Sequence, residues 1–331
     1  MFEVSLKNGK KFECDADTTI FNAAKSAGIF LEHSCLTARC RSCVVKVMDG
    51  KTVNELDELV LSEEEKGDNF VLSCNAKPVS DLSLDIEDMG DVILYDKKIV
   101  PAKINSITSL AEDVIKLSLR FPPRTDFKFL SGQYVNLIKG TVNRSYSVAV
   151  QSKEVNNSLD FFIKKYENGL MSKYWFEEAK QNDLLRLEGP LGTFFYRESE
   201  AKDVVFLATG TGVAPVKSIL EELETSNTDH SGKRFWVVVG ARFEHDLFWE
   251  PEINGNKIDV TYIPVLSRPN EDWKGETGYV QDILVKQNIN FEQSQVYACG
   301  SNQMIESAKK LLIENSLKEN DFYSDAFICT N

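Results

Sequence analysis

Four cysteines, Cys35, Cys40, Cys43 and Cys74, stand in a C-x4-C-x2-C run with the fourth about thirty residues further on. This spacing suits a [2Fe–2S] cluster: two irons bridged by two sulfides take four thiolates, three from one tight loop and one from elsewhere in the fold. Zinc is the rival reading, but a structural zinc site usually shows two C-x2-C knuckles, and only Cys40 and Cys43 form one. A Rieske centre asks for two histidines, and only His33 is near in sequence. Disulfides fit poorly with a chain that opens on an alternating strand, a turn at Asn8-Gly9 and a second strand rather than on a targeting peptide. Arg39 and Arg41 flank Cys40. Two cations there would raise the potential of an anionic cluster or serve to dock a partner.

Three further motifs lie downstream. Arg144-Ser145-Tyr146-Ser147 opens the apolar strand SYSVAV; alone, a tyrosine there reads as core. Between FLSGQYVNL and ENGLMSKYW it reads as part of a diphosphate and ring site, because the planar guanidinium of arginine makes paired charge-assisted bonds to a diphosphate. Gly169, Leu170, Met171 and Ser172 would open a helix whose N–H groups face that diphosphate. Gly210-Thr211-Gly212-Val213-Ala214-Pro215 follows a buried strand and opens a helix, like a dinucleotide fingerprint with proline in the third glycine's place. It lacks the glycine before lysine of a Walker A loop. Gly240-Ala241-Arg242 and Cys299-Gly300-Ser301 also end strands, where open α/β sheets bind ligands.

The elements that must position these residues fall into three blocks, so the fold class expected is multidomain, α+β and α/β. Residues 1–92 read as a mixed sheet with one helix, TTIFNAAKSAGI, capped by Thr18 or Thr19 and ended by Gly28. A polar linker, EDMGDVILYDKK, leads to short strands over 97–199 that suit a small antiparallel barrel. Residues 200–331 alternate strand and helix, as a doubly wound α/β domain does. No apolar run is long enough for a transmembrane helix, so no membrane partner is expected. The net charge of −13 argues against nucleic acid. Residues 1–92 hold 18 acidic against 10 basic residues, which serves solubility or the docking of a basic partner. Cys14, Cys299 and Cys329 show no pairing pattern, as suits a reducing cytoplasm.

In this order, the cysteine loop, RSYS, GTGVAP and CGS resemble the ferredoxin–NADP reductase superfamily with an N-terminal plant-type [2Fe–2S] ferredoxin domain, along the whole chain. The resemblance implies a ubiquitin-like ferredoxin domain, an FAD-binding barrel and a nicotinamide-binding domain. It implies that Arg144 and Ser145 bind the FAD diphosphate region, that Tyr146 lies against the isoalloxazine and that Ser147 sits near flavin N5. Gly210, Thr211, Gly212, Arg242 and Gly300 would hold the nicotinamide dinucleotide, with Cys299 near its ring and Phe327 covering the flavin until nicotinamide displaces it.

A narrower resemblance rests on EGPLGTFFYRE, TGTGVAPVKSI, VYACGSNQMI and FYSDAF. These are similar to the CDP-6-deoxy-Δ3,4-glucoseen reductases of 3,6-dideoxysugar biosynthesis. That family implies NADH as donor, FAD to split the hydride's electron pair, the cluster as a one-electron relay and a pyridoxamine-phosphate (PMP)-dependent sugar dehydrase as partner. The alternative acceptor is a di-iron or Rieske oxygenase, and a second alternative is a redox-sensing partner protein without turnover. Ser267-Arg268 stands where some NADPH-dependent relatives hold the 2′-phosphate, but an arginine before Pro269 is equally read as a surface loop residue.

Overall fold

The computed structural model describes residues 1–90, 92–154, 157–252 and 257–327, and the chain divides into two compact units, Met1–Ile93 and Leu94–Asn331.

The first unit is a five-stranded sheet in the order Lys11–Cys14, Phe2–Leu6, Leu82–Leu84, Val44–Asp49, Phe70–Leu72. Gly9 turns the opening hairpin at φ 82°, a conformation glycine adopts without a Cβ clash. The helix Ile20–Ser26 begins where Thr19 Oγ1 accepts the Asn22 N–H and ends before Gly28 at φ 73°. Its face of Ile20, Ala23 and Ala24 packs on Val4, Leu6, Val45 and Leu84. A one-turn helix, Glu63–Gly67, starts with a reciprocal capping box between Ser62 and Glu65.

The second unit opens with an antiparallel sheet in the order Val142–Ser147, Tyr134–Lys139, Leu184–Leu191, Lys98–Ala111, Val114–Arg120, Ser158–Lys164. An antiparallel bridge between Val148 and Phe161 brings its two outer strands together and closes it as a barrel. Leu117, Leu137, Leu159, Phe161 and Leu187 fill the interior, each without solvent exposure.

Six parallel strands follow, in the order Glu276–Thr277, Asp259–Leu266, Arg234–Ala241, Asp203–Thr209, Ser294–Gly300, Phe322–Ala326. Alternation assigns each strand to both faces. Val204, Phe206 and Ala208 pack against the helix Val213–Thr225, while Val205 and Leu207 pack against Val280–Leu284 and Asn302–Glu314. Ala149, Phe162 and Phe194 of the barrel share the first of these cores, so barrel and α/β layer form one hydrophobic body. Among the described residues no helix is long and apolar enough to cross a membrane.

All four tryptophans lie in the second unit, so their fluorescence reports on it alone. Phe161→Ala, which empties a fully buried site, is expected to cost about 3–5 kcal/mol and to lower the urea midpoint. Leu184→Ala, on an exposed barrel position, should stay within about 0.5 kcal/mol of the parent. Equal midpoints for the two variants would contradict this packing.

Candidate functional site: a thiol loop and a strand-end cradle

The cysteine loop closes by taking the left-handed conformation at three non-glycine residues, Leu36 (φ 54°), Ala38 (φ 57°) and Arg41 (φ 64°). Each costs free energy that the surroundings must offset. The return is a set of backbone donors aimed at sulfur. Thr37 N–H donates to Cys35 Sγ at 3.4 Å and Cys35 N–H to Cys40 Sγ at 3.3 Å. The backbone at Arg39 also serves Cys35, and the backbone at Ala38 serves Cys74.

Cys74 arrives by sheet pairing. Val44 sits opposite Leu72, and Ser73 N–H donates to Cys43 O at 2.9 Å, which leaves Cys43 Sγ 3.2 Å from Cys74 Sγ. The four thiols therefore form two pairs, Cys35 with Cys40 and Cys43 with Cys74. The hydrogen bond from Cys40 lowers the Cys35 thiol, and the bond from Cys43 lowers Cys74. Cys40 and Cys43, as the donors, are raised by those same bonds and by burial. Two thiol pairs with N–H groups turned toward sulfur fit a dinuclear iron–sulfur group.

The two arginines of the loop have different fates. Arg41 donates from Nη1 to Val60 O and from Nη2 to Glu65 Oε1 at 2.5 Å, clamping the loop to the capped turn. Its guanidinium holds the Glu65 carboxyl down at about 2. Arg39 is exposed.

In the barrel, Arg144 and Tyr146 point to one side of their strand, opposite Leu137 and Val135 of the neighbour. Both are half-buried, and Arg144 Nη1 donates to Asn143 O at 2.8 Å. Tyr146 Oη accepts from Trp175 Nε1 at 2.9 Å, and burial pushes the phenol up to about 12. Trp175 lies in the turn that continues the helix Leu170–Lys173, so this bond joins the RSYS strand to the segment opened by Gly169. Leu170 is exposed, Met171 is in the barrel core, and Ser172 Oγ accepts from Tyr166 N–H at 2.9 Å. Ser145 Oγ donates to Asn136 Oδ1 at 2.8 Å, and Asn136 in turn donates to Glu188, which pairs with Lys97. Ser147 is buried.

At the strand ends of the parallel sheet, glycine permits contacts that no side chain would. A Cβ on Gly212 would lie 2.2 Å from Cys299 O, and one on Gly300 would lie 2.2 Å from Thr209 Oγ1. Gly210 turns at φ 55° and Gly300 at φ 150°. GTG, with Thr211 at its centre, and CGS thus interlock as one cradle. Arg242 follows the next strand, its carbonyl accepting from Arg268 N–H at 2.9 Å. Arg268 lines a cavity of about 500 Å³ with Phe243, Glu244, His245 and Asn270. Cys299 is fully buried, and burial pushes its thiol far up. Phe327 N–H donates to Gly300 O at 2.9 Å, and its half-buried ring packs on the core shared by barrel and sheet. Trp175, Asn136 and Glu188 carry no motif and are visible only through these contacts.

Family models match three stretches of the chain. Residues 5–79 match a 2Fe-2S iron-sulfur cluster binding domain, 101–196 an oxidoreductase FAD-binding domain and 206–310 an oxidoreductase NAD-binding domain. CDP-6-deoxy-L-threo-D-glycero-4-hexulose-3-dehydrase reductase of Yersinia pestis is 37% identical over 97% of this chain and 96% of its own. The chain belongs to this reductase family. Protein RfbI of Salmonella typhimurium is also 37% identical, over 97% of this chain and 94% of its own. The phenol hydroxylase P5 protein of Acinetobacter pittii is 30% identical over 97% and 92%. Among solved structures, the Amycolatopsis cytochrome P450 reductase GcoB has the same fold, with a TM-score of 0.72, 23% identity and 99% of each chain covered. The reductase is an NAD(P)H-dependent oxidoreductase that uses FAD and a [2Fe–2S] cluster.

The Arg41–Glu65 clamp makes loop stability pH-dependent with a definite sign. Glu65 has a depressed folded value, so its contribution is present above the ordinary 4.5 and is lost as pH falls toward about 2. Glu65→Gln is expected to bleach its iron–sulfur absorbance faster than the parent at pH 6. That difference should close as both are acidified below 4.5. A constant difference across this range would show that the carboxylate does not act through Arg41.

Proposed function

We propose that this reductase takes hydride from NADH and exports single electrons to a PMP-dependent dehydrase holding a CDP-4-keto-6-deoxyhexose, in 3,6-dideoxysugar biosynthesis. The observation that carries the reading is the 37% identity, over nearly full length, to reductases named for such a dehydrase, against 30% for the phenol hydroxylase component. A structural feature supports it. The two sequence segments that resemble those reductases most specifically, TFFYRE and FYSDAF, meet in space. Arg197 lies over the rings of Phe195 at 4.3 Å and Tyr323 at 5.1 Å, and its Nη2 donates to Thr193 O at 2.9 Å. No disulfide joins the six described cysteines, as suits a cytoplasmic enzyme.

When bound, FAD turns a two-electron hydride into single electrons and the cluster relays them one at a time. The chain's own part is positioning. Cys35 and Cys40 would hold one iron, Cys43 and Cys74 the other, with the loop N–H groups stabilising negative sulfur. Arg144 and the helix start at Gly169 would hold the diphosphate, while Trp175 orients Tyr146 from behind against the flavin ring. Ser145 is held by Asn136 at the same strand, and buried Ser147 would present its hydroxyl at the ring's reactive edge. Gly210, Thr211 and Gly212 would bring backbone close to the dinucleotide diphosphate, and Arg242 would add charge. With its thiol buried, Cys299 would act as a wall beside Gly300 rather than as a nucleophile. Phe327, tied to Gly300 O, would cover the flavin and yield to nicotinamide.

Gly212→Ala forces its Cβ against Cys299 O and should raise the KM for NADH by about tenfold or more, roughly 1.4 kcal/mol. An unchanged KM would remove GTG from the dinucleotide site. Cys40→Ser should leave NADH-driven flavin bleaching intact and abolish electron export. Anaerobic NADH oxidation with a purified CDP-4-keto-6-deoxyglucose dehydrase and its sugar tests the acceptor directly. Stoichiometric NADH loss with a 3,6-dideoxy product is the expected result. Flavin and cluster reduction without sugar turnover would point to an oxygenase acceptor instead.

A further inference from the structure

Leu56 and Leu59 are 56% and 88% exposed in the loop that runs from the strand Thr52–Asn54 to the capped helix. Single exposed leucines are ordinary. These two differ in how rigidly they are held, and by what. Glu58 lies between them with its side chain 2% exposed, Oε1 accepting the N–H groups of Val60 and Leu61 and Oε2 3.5 Å from Lys66 Nζ. That buried carboxylate fixes a turn from which Leu59 projects into water. Asn75, the residue after Cys74, holds Leu56 from both sides: Oδ1 accepts its N–H at 2.8 Å and Nδ2 donates to its carbonyl at 3.0 Å. Arg41, between Cys40 and Cys43, donates to Val60 O. Val60 and Leu61 pack on Ala38, Cys43 and Cys74. The loop is therefore mounted on residues adjacent to three of the four thiols.

Its rim is acidic. Residues 55–68 hold seven carboxylates and one cation, Lys66, and Glu55, Asp57, Glu63 and Glu64 are exposed. We propose that Leu56 and Leu59 form a preorganised apolar anchor on which the electron-acceptor protein docks, through an apolar socket ringed by lysine or arginine. This rests on the reading of the chain as an electron exporter. A second copy is disfavoured, because an isologous contact would set the carboxylate rim against itself. The chain's own second unit is also acidic: the first unit carries −8 of the total −13, leaving −5. A basic acceptor gains on both counts, with the acidic rim raising the encounter rate and the fixed leucines needing little ordering on binding.

The test uses the full-length holoenzyme with Leu56→Ser/Leu59→Ser and, separately, Asp57→Asn/Glu64→Gln. With the dehydrase as acceptor, the leucine variant should raise its KM about tenfold with kcat held. The charge variant should flatten the salt dependence of kcat/KM. Stopped-flow reduction of the cluster by NADH, within the chain, should match the parent for both. An unchanged KM overturns the proposal. So does a slowed intrachain step, which would assign the leucines to the chain's own flavin unit, or a change in oligomeric state, which would assign them to a second copy. If the parent itself turns over no dehydrase, the acceptor proposed above fails on its own. The leucine variant is then measured with cytochrome c, a basic one-electron acceptor, and the same rise in KM is required.

Discussion

The antiparallel pairing of Val44–Lys46 with Phe70–Leu72 is the contact on which the redox site depends. A dinuclear cluster needs four thiolates, and no single loop of this chain supplies them. Register decides the outcome, because a slip of one residue would turn every side chain of the strand to the opposite face. With Val44 opposite Leu72, Cys74 emerges beside Cys43, and the Ser73-to-Cys43 backbone bond continues the ladder to the thiols themselves. The same pairing brings residues 55–68 back across the loop, so that Arg41 and Asn75 can hold them. The thiol pairs, the Arg41 clamp and the seating of the exposed leucines are thus consequences of one short ladder.

The second unit solves a different problem, that of bringing two large cofactors to one place. Its solution is a shared core: Ala149, Phe162 and Phe194 of the barrel and Val213, Val216 and Ile219 of the sheet's first helix bury one another. Polar ties reinforce the junction. Lys217 donates to Ala149 O and Ser218 to Val150 O, so the stretch that follows Ser147 is held on the helix that follows Gly212. The RSYS strand and the GTG–CGS cradle are linked through a few residues of continuous structure, which limits how far they can drift apart.

Much of this was legible in the chain. Cysteine spacing is a statement about ligand number, and GTG after a buried strand is a statement about backbone approach; both survive without knowledge of partners in space. Alternation and turn residues located the strands and helices around them, including the Thr19 cap and the Gly28 stop. Ala38 takes φ 57°, a conformation that glycine adopts without strain, with its methyl group buried in a cluster with Leu61 and Leu72. Alanine there trades backbone ease for packing, a balance that composition does not reveal.

What the sequence determined by itself is the chemistry on offer, because ligand type, glycine and arginine act through their own covalent structure. It indicated two cations beside Cys40 and left open whether they tune the cluster or dock a partner. Only the tertiary structure separated them, turning Arg41 inward to Glu65 and leaving Arg39 in water. Trp175 behind Tyr146, Asn75 behind Leu56 and Asp325 beside buried Cys299 were likewise decided by long-range packing. Their roles depend on which strands lie side by side, and that is fixed by the burial of whole faces rather than by any local pattern of residues.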